Sequence, residues 1–369
     1  MTPLQRVFAE QGQSAWLDNI RRDWILDGQL SDWVARGVRG LTSNPSIFQK
    51  AIQSSAAYDE QFFACVDQGM SVTEAYWELV VSDIADALDI LRPVYDESDG
   101  LDGYVSVEVD PGLARKSEAT LHAARALAER LDAPNLYIKI PATAEGLSPI
   151  ASMIAERHSV NVTLIFSQAR YAEVMEAYLH GLEQADGELS EISSVASFFV
   201  SRIDNEVDRR LDAIGSPDAL ALKGRAAIAN ARLAYQLFVS TFSGPRWEAL
   251  TQRGARVQRP LWASTSTKNP SYSETLYVDE LVGPHTVNTL PEATLVAFER
   301  HGTVARTVDH GIDDAHRLFD SLSDLGIEID EVTQTLEREG VAAFEHSFDD
   351  VLASLTDKAG SRRSSSPNA

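Results

Sequence analysis

"NLYIKIPAT", Asn135 to Thr143, sets a lysine between two isoleucines in a run that reads as a buried strand. Side chains alternate faces along a strand, so Leu136, Ile138 and Ile140 share one face while Tyr137 and Lys139 share the other. An ammonium is rarely fully buried without a partner, because burial disfavours the charged form. An apolar face backed by a lysine suits a strand that packs on helices outside and looks into a polar mouth inside.

Seven further runs resemble it. They are 14–20, 37–45, 103–110, 159–167, 192–202, 259–266 and 285–291, and helical patterns such as "GLARKSEATLHAARALAERLDA" lie between most of them. Strands alternating with helices mean βαβ units and a parallel sheet. Eight such units predict an α/β chain folded as a (β/α)8 TIM barrel. A doubly wound open sheet is the alternative. It loses support because the chain has neither a G-x-G-x-x-G nor a Walker A sequence. A single domain is expected over 1–358, with helical insertions at 49–102 and 203–258 and a wholly helical C-terminal extension at 292–358. The Ser-rich end, 359–369, reads as a disordered tail.

Composition narrows the partners. The 369 residues carry a net charge of −23, which disfavours nucleic acid and anionic membrane surfaces. An anionic substrate would need a local basic pocket. The one cysteine, Cys65, allows no intramolecular disulfide. No apolar run approaches the length of a membrane span, and the N-terminus lacks a signal-type apolar core, so a cytoplasmic protein is expected.

The polar interruptions fall in phase. In the third strand Val105, Val107 and Val109 face out and Ser106 and Glu108 face in. In the fifth, Val160, Val162, Leu164 and Phe166 share one face, with Asn161 and Thr163 on the other. In the seventh, Trp262, Ser264 and Ser266 run in phase with Lys268, while the first strand supplies Asp18 and the second Asn44. Active sites of barrels sit at the C-terminal strand ends. Most histidines fall in helical or loop stretches, only His285 begins a candidate strand, and no H-E-x-x-H or cysteine pair occurs, so no metal site is expected. Lys139 remains as the reactive group. It reads either as a nucleophile toward a carbonyl or as half of a structural ion pair with Glu108 or Asp18.

Five segments carry a family resemblance. "GLTSNPSIF", "VSVEVDPGLA", "LYIKIPAT", "NVTLIFS" and "SFFVSRID" resemble, in order, the T-x-N-P-S, S-x-E-V, Schiff-base lysine, N-x-T-L-x-F-S and S-x-F-V-x-R segments of the transaldolases. The resemblance runs from about residue 14 to 291 and implies a barrel that moves a dihydroxyacetone unit between sugar phosphates, with no cofactor. The implied reaction converts sedoheptulose 7-phosphate and glyceraldehyde 3-phosphate to erythrose 4-phosphate and fructose 6-phosphate, in the non-oxidative pentose phosphate pathway. A fructose 6-phosphate aldolase using the same imine is the alternative. Either fits a monomer or a homodimer.

Carried over by position, the resemblance makes Lys139 the imine-forming residue and Asp18 the acid/base at the hydroxyl whose deprotonation breaks the C–C bond. Glu108 and Thr163 hold the water that shuttles protons. Asn44, Asn161 and Ser197 contact the dihydroxyacetone part, and Phe199 lines the pocket. Arg202, just past the sixth strand, binds phosphate with Ser264, Ser266 and Lys268 from the seventh-strand loop. That loop, "WASTSTKNPSY", departs from the family, many members of which have arginine where Lys268 falls.

Overall fold

A computed structural model describes residues 1–365. Eight parallel strands close into a barrel in chain order, with the last paired to the first. They are β1 (Gln13–Leu17), β2 (Gly40–Thr42), β3 (Tyr104–Glu108), β4 (Leu136–Pro141), β5 (Val160–Ile165), β6 (Ser194–Phe199), β7 (Arg259–Ala263) and β8 (Thr286–Leu290). Each is shorter than its expected run and lies inside it, except that β1 starts one residue early at Gln13; the polar ends of the runs turn into loops. β2 shows the cause. Asn44 is the N-cap of helix Pro45–Ser54, its Oδ1 accepting from Ile47 N at 3.0 Å, and Pro45 takes the first helical position. Both residue types favour those places, so the strand gives way to a helix there.

The N-terminal end of the barrel is sealed. Buried Asp102 accepts hydrogen bonds from Ser14 Oγ (2.7 Å), Trp16 Nε1 (3.1 Å), Arg39 Nε (2.7 Å) and Arg259 Nη2 (2.8 Å). Burial alone would raise its carboxyl, but Arg259 and Arg39 outweigh this and hold it below the usual carboxylate range. Above it Trp16 stacks on Tyr137, and Tyr137 on Tyr104, with ring centroids 6.0 and 4.1 Å apart. Gly40 is required beside this plug, since a Cβ there would stand 2.4 Å from the Trp16 ring. The barrel is therefore open only toward the C-terminal ends of its strands.

Three expectations need correction. First, Trp262 does not face the lumen. It packs edge-on against Phe198 and donates from Nε1 to the Leu281 carbonyl at 3.1 Å, while Ala263 lines the cavity. β7 ends at Ala263, and the turn at Ser264 (φ 55°) redirects the chain, so strand phase does not carry into the loop. Second, β5 changes register between Val162 and Ile165, with Leu164 at φ 61°. Leu164 and Phe166 accordingly leave the outer face of Val160 and Val162, and both lie close to Gly340. Third, 292–358 is not wholly helical. Helices Glu292–His301 and Ile312–Asp324 are separated by an irregular stretch that ends at Gly311 (φ 62°).

The long final helix, Ile329–Ser365, runs on through 359–365, where a disordered tail was expected; 366–369 lie outside the described residues. It is fastened over the barrel mouth. Ser347 Oγ lies 2.6 Å from Ser46 Oγ, and Gln49 Nε2 donates to Asp350 Oδ2 at 3.1 Å. Phe348 packs against Tyr76 and Trp77. Among the described residues no helix is long and apolar enough to cross a membrane.

Candidate active site

A cavity of about 690 Å³ opens at the C-terminal strand ends. Its floor is set by strand register. Glu108 on β3 pairs with Lys139 on β4, and Lys139 with Asn161 on β5, so three polar side chains stand side by side across the lumen. Lys139 is 4% exposed. Its Nζ lies 3.1 Å from Glu108 Oε2 and donates to the Ser43 carbonyl at 3.0 Å. The ion pair expected from the sequence thus exists with Glu108, and Lys139 still faces the cavity.

Glu108 sits one layer beneath the cavity wall. Both its carboxylate oxygens are buried and, apart from the Lys139 ion pair, have no hydrogen-bond partner among the described residues; Thr163 Oγ1, which does line the cavity, has none either. Burial pushes the Glu108 carboxyl up, while the Lys139 charge pulls the other way. Asp18 lies in the open part of the cavity, closely surrounded by protein. Its Oδ1 accepts from Thr42 Oγ1 at 2.9 Å. Burial pushes it up too, opposed by Lys139, by the Thr42 hydrogen bond, and by Lys50 and Arg202. Two carboxyls raised by burial beside an amine are suited to proton exchange with it.

Asn161 is not a wall of the cavity. It is fully buried; its Nδ2 donates to Ser106 Oγ (3.0 Å) and its Oδ1 accepts from Ser197 Oγ (2.7 Å). It fixes Ser197, which does line the cavity, as does Phe199. Asn44 also lines it, but with its oxygen engaged in capping it offers chiefly its amide nitrogen. Arg202 opens helix Ser201–Ile214 just past β6, its guanidinium 5.2 Å from the Phe199 ring. Among the described residues it has no ion pair or side-chain hydrogen bond. Burial lowers its affinity for the proton, with Glu339 and Asp18 opposing. Beside this helix start Ser264 Oγ sits 3.0 Å from Ser201 Oγ, and Lys268 Nζ donates to Ser266 Oγ at 2.9 Å. All three loop residues line the same cavity as Arg202.

Among the wall residues that the sequence did not single out are Arg21, Lys50 and Phe344. Lys50 had a signal. Ile47, Lys50, Ala51 and Ser54 recur at helical spacing after the capping Asn44, which marks one helix face turned to the site. Phe344, whose ring centroid is 5.8 Å from Lys139 Nζ, had none, because only the tertiary path of the last helix brings it there. Among the described residues no three His, Cys, Asp or Glu side chains gather as metal ligands would.

Comparison with known proteins places the chain in a family. The profile of the family described as Transaldolase/Fructose-6-phosphate aldolase matches residues 15–355. A protein named Transaldolase from Frankia alni is 51% identical over 363 residues, covering 97% of this chain and 98% of its own. One of the same name from Acidothermus cellulolyticus is 52% identical over 359 residues, covering 96% of each chain. Another from Thermobifida fusca is 51% identical over 356 residues, covering 95% of this chain and 96% of its own. With a lysine-centred site in a closed barrel and this likeness along nearly its whole length, the chain belongs to the transaldolase/fructose-6-phosphate aldolase family.

Proposed function

We propose that the chain is a transaldolase, moving a dihydroxyacetone unit from a ketose phosphate to an aldose phosphate through an imine on Lys139. The observation that carries this reading is the charge at the cavity. Five cations, Arg21, Lys50, Lys139, Arg202 and Lys268, line it with one carboxylate, Asp18, in a chain of net charge −23. Such a pocket suits an anionic substrate with a reactive carbonyl. In this reading the amine of Lys139 attacks the ketose carbonyl and water leaves, with protons relayed by a water held between Glu108 and Thr163. Asp18 takes the proton of the hydroxyl beyond the breaking bond. The aldose departs, and the electron pair of the C–C bond passes into the enamine. A second aldose phosphate then adds to that carbon and the steps reverse. Asn44 and Ser197 orient the dihydroxyacetone hydroxyls, Asn161 holding Ser197. Arg202 and Lys268, with Ser264 and Ser266, take the phosphate. The substrates in this reading are sedoheptulose 7-phosphate and glyceraldehyde 3-phosphate, exchanged for erythrose 4-phosphate and fructose 6-phosphate in the cytoplasm.

Borohydride reduction with fructose 6-phosphate tests the imine. A reduced dihydroxyacetone adduct should appear on the peptide containing Lys139. An adduct on another lysine, or none under turnover conditions, rejects the reading. Free dihydroxyacetone formed without an acceptor aldehyde, as fast as transfer with one, would identify a fructose 6-phosphate aldolase instead.

A further inference from the structure

The loop after β7 brings Ser264, Ser266 and Lys268 to the cavity without any strand or helix of its own before Leu276. Its first two residues are fastened, Ser264 by the N–H and hydroxyl of Ser201 and Thr265 by Asn288 and the Thr289 carbonyl, but Ser266 and Lys268 lie beyond these bonds and need a further hold. Two tyrosines from this segment reach the helix that carries Arg202 in its first turn. Tyr272 OH donates to Asp208 Oδ2 at 2.5 Å, and Tyr277 OH donates to Asp204 Oδ2 at 2.8 Å. Asp204 and Asp208 are four residues apart, hence on one face of helix Ser201–Ile214. Their other oxygens accept backbone N–H groups, Ala227 N at 2.7 Å for Asp204 and Gly224 N at 2.9 Å for Asp208. The Tyr272 ring lies against Gly224 (φ 71°), where a Cβ would stand 2.7 Å from Tyr272 Cζ. None of these six residues lines the cavity. The cluster touches no substrate, yet it joins both halves of the phosphate-facing wall.

We propose that Tyr272–Asp208 and Tyr277–Asp204 form a latch that seats the Ser264–Lys268 loop against the Arg202 helix, which makes these four positioning residues for the substrate phosphate. The proposal rests on the reading of Arg202 and this loop as the phosphate clamp. Two hydrogen bonds to carboxylates, each carboxylate itself fixed by one backbone donor, give the loop a single seat. Charge-assisted bonds of this kind are stronger than neutral ones, so the loss of one frees the loop without unfolding the barrel.

The test compares fructose 6-phosphate with unphosphorylated fructose, and adds inorganic phosphate as a competitive inhibitor. Tyr272→Phe keeps the ring on Gly224 and removes only the hydroxyl. KM for fructose 6-phosphate and the inhibition constant for phosphate should each rise about 3- to 30-fold, with kcat within about twofold, since the phosphate contact is made equally in ground and transition states. kcat/KM on fructose should stay within about twofold, because that sugar makes no such contact. Tyr272→Ala and Gly224→Ala, which also disturb the ring seat, should exceed Tyr272→Phe on the phosphorylated sugar. A general structural role would instead lower kcat/KM equally on both sugars; that result, or an unchanged phosphate inhibition constant in Tyr272→Phe, overturns the latch. Arg202→Ala separates the two failures. If it collapses the preference for the phosphorylated sugar while Tyr272→Phe does not, the latch alone is wrong. If neither variant alters the preference, the clamp reading falls and the latch with it.

Discussion

At the scale of single residues, the pairing of Lys139 with Glu108 decides what each can do. A buried ion pair is a poor source of stability but a strong determinant of protonation. Glu108 Oε2 stands 3.1 Å from the amine, and beyond that ion pair neither carboxylate oxygen nor Thr163 Oγ1 has a hydrogen-bond partner among the described residues. Glu108→Gln keeps the shape and removes the charge. It should lower turnover by about 10²- to 10⁴-fold, the usual range for a general acid–base group, and should slow the appearance of the borohydride-trapped adduct in step. Turnover near the wild-type level would show that Glu108 is only a counter-ion. The pairing of these residues could be read from strand phase alone, because a two-residue period puts Glu108 and Lys139 on the lumen side of neighbouring strands. The same rule misplaced Trp262, since phase ends where the strand ends. Ser264 takes a positive φ, and no residue type in "WASTS" announces it. Asn161 shows a different limit. Its inward phase was legible, but its amide is engaged by Ser106 and Ser197, and which neighbours saturate a polar group depends on the closed barrel.

At the scale of elements, the sequence carried the eight strands because each is an apolar run with its own periodicity. It did not carry the path of helix Ile329–Ser365. An amphipathic pattern says that one face is covered but not by what. The structure lays this helix over the mouth and brings Phe344 within 5.8 Å of Lys139 Nζ, measured to the ring centroid. Phe344→Ala should therefore admit water to the enamine. The carbanion carbon then takes a proton, and hydrolysis of the iminium releases dihydroxyacetone and free Lys139. Without an acceptor, formation of free dihydroxyacetone should rise about 3- to 10-fold while the adduct on Lys139 still traps, as expected when a site loses its shield from solvent. Unchanged release would mean that Phe344 shields nothing. Helix Ser201–Ile214 gives a second case. Burial pushes the Asp204 carboxyl up to about 6, and the N–H of Ala227 and the hydroxyl of Tyr277 only partly offset it. A carboxyl raised on folding binds its proton more tightly in the native state. Stability from this group is therefore greatest below the unfolded value near 4 and falls as pH rises through about 6, by roughly 3 kcal/mol for a shift of this size. Asp204→Asn carries a fixed cost from its mismatched amide but lacks that slope. Urea midpoints taken from pH 4.5 to 7.5 should show the variant gaining on the wild type as pH rises. Parallel curves would remove Asp204 as the titrating group.

At the scale of the whole molecule, two fields act on an approaching anion. The net charge of −23 repels it at long range, while Arg21, Lys50, Lys139, Arg202 and Lys268 attract it at the cavity. Salt screens exposed charges over about 8 Å at physiological ionic strength, against about 30 Å at 0.01 M, and screens partly buried groups much less. Lys50 and Arg202 should differ on this ground. Lys50 is exposed on helix Pro45–Ser54 and, among the described residues, has no ion-pair partner. Arg202 is partly buried against Phe199. A rim charge acts mainly on encounter, whereas a contact charge acts on the bound state. Lys50→Gln should lower kcat/KM for fructose 6-phosphate about 2- to 5-fold at 0.01 M ionic strength, and the difference from wild type should vanish by about 0.5 M as the Debye length shrinks below side-chain reach. Arg202→Ala should lose more, and its loss should persist at high salt, because a charge-assisted hydrogen bond to phosphate is a contact rather than a field. The two variants measured across one salt series therefore sort the five cations into those that steer and those that hold. If the Lys50→Gln deficit survives 0.5 M salt, Lys50 touches the substrate and belongs with the clamp.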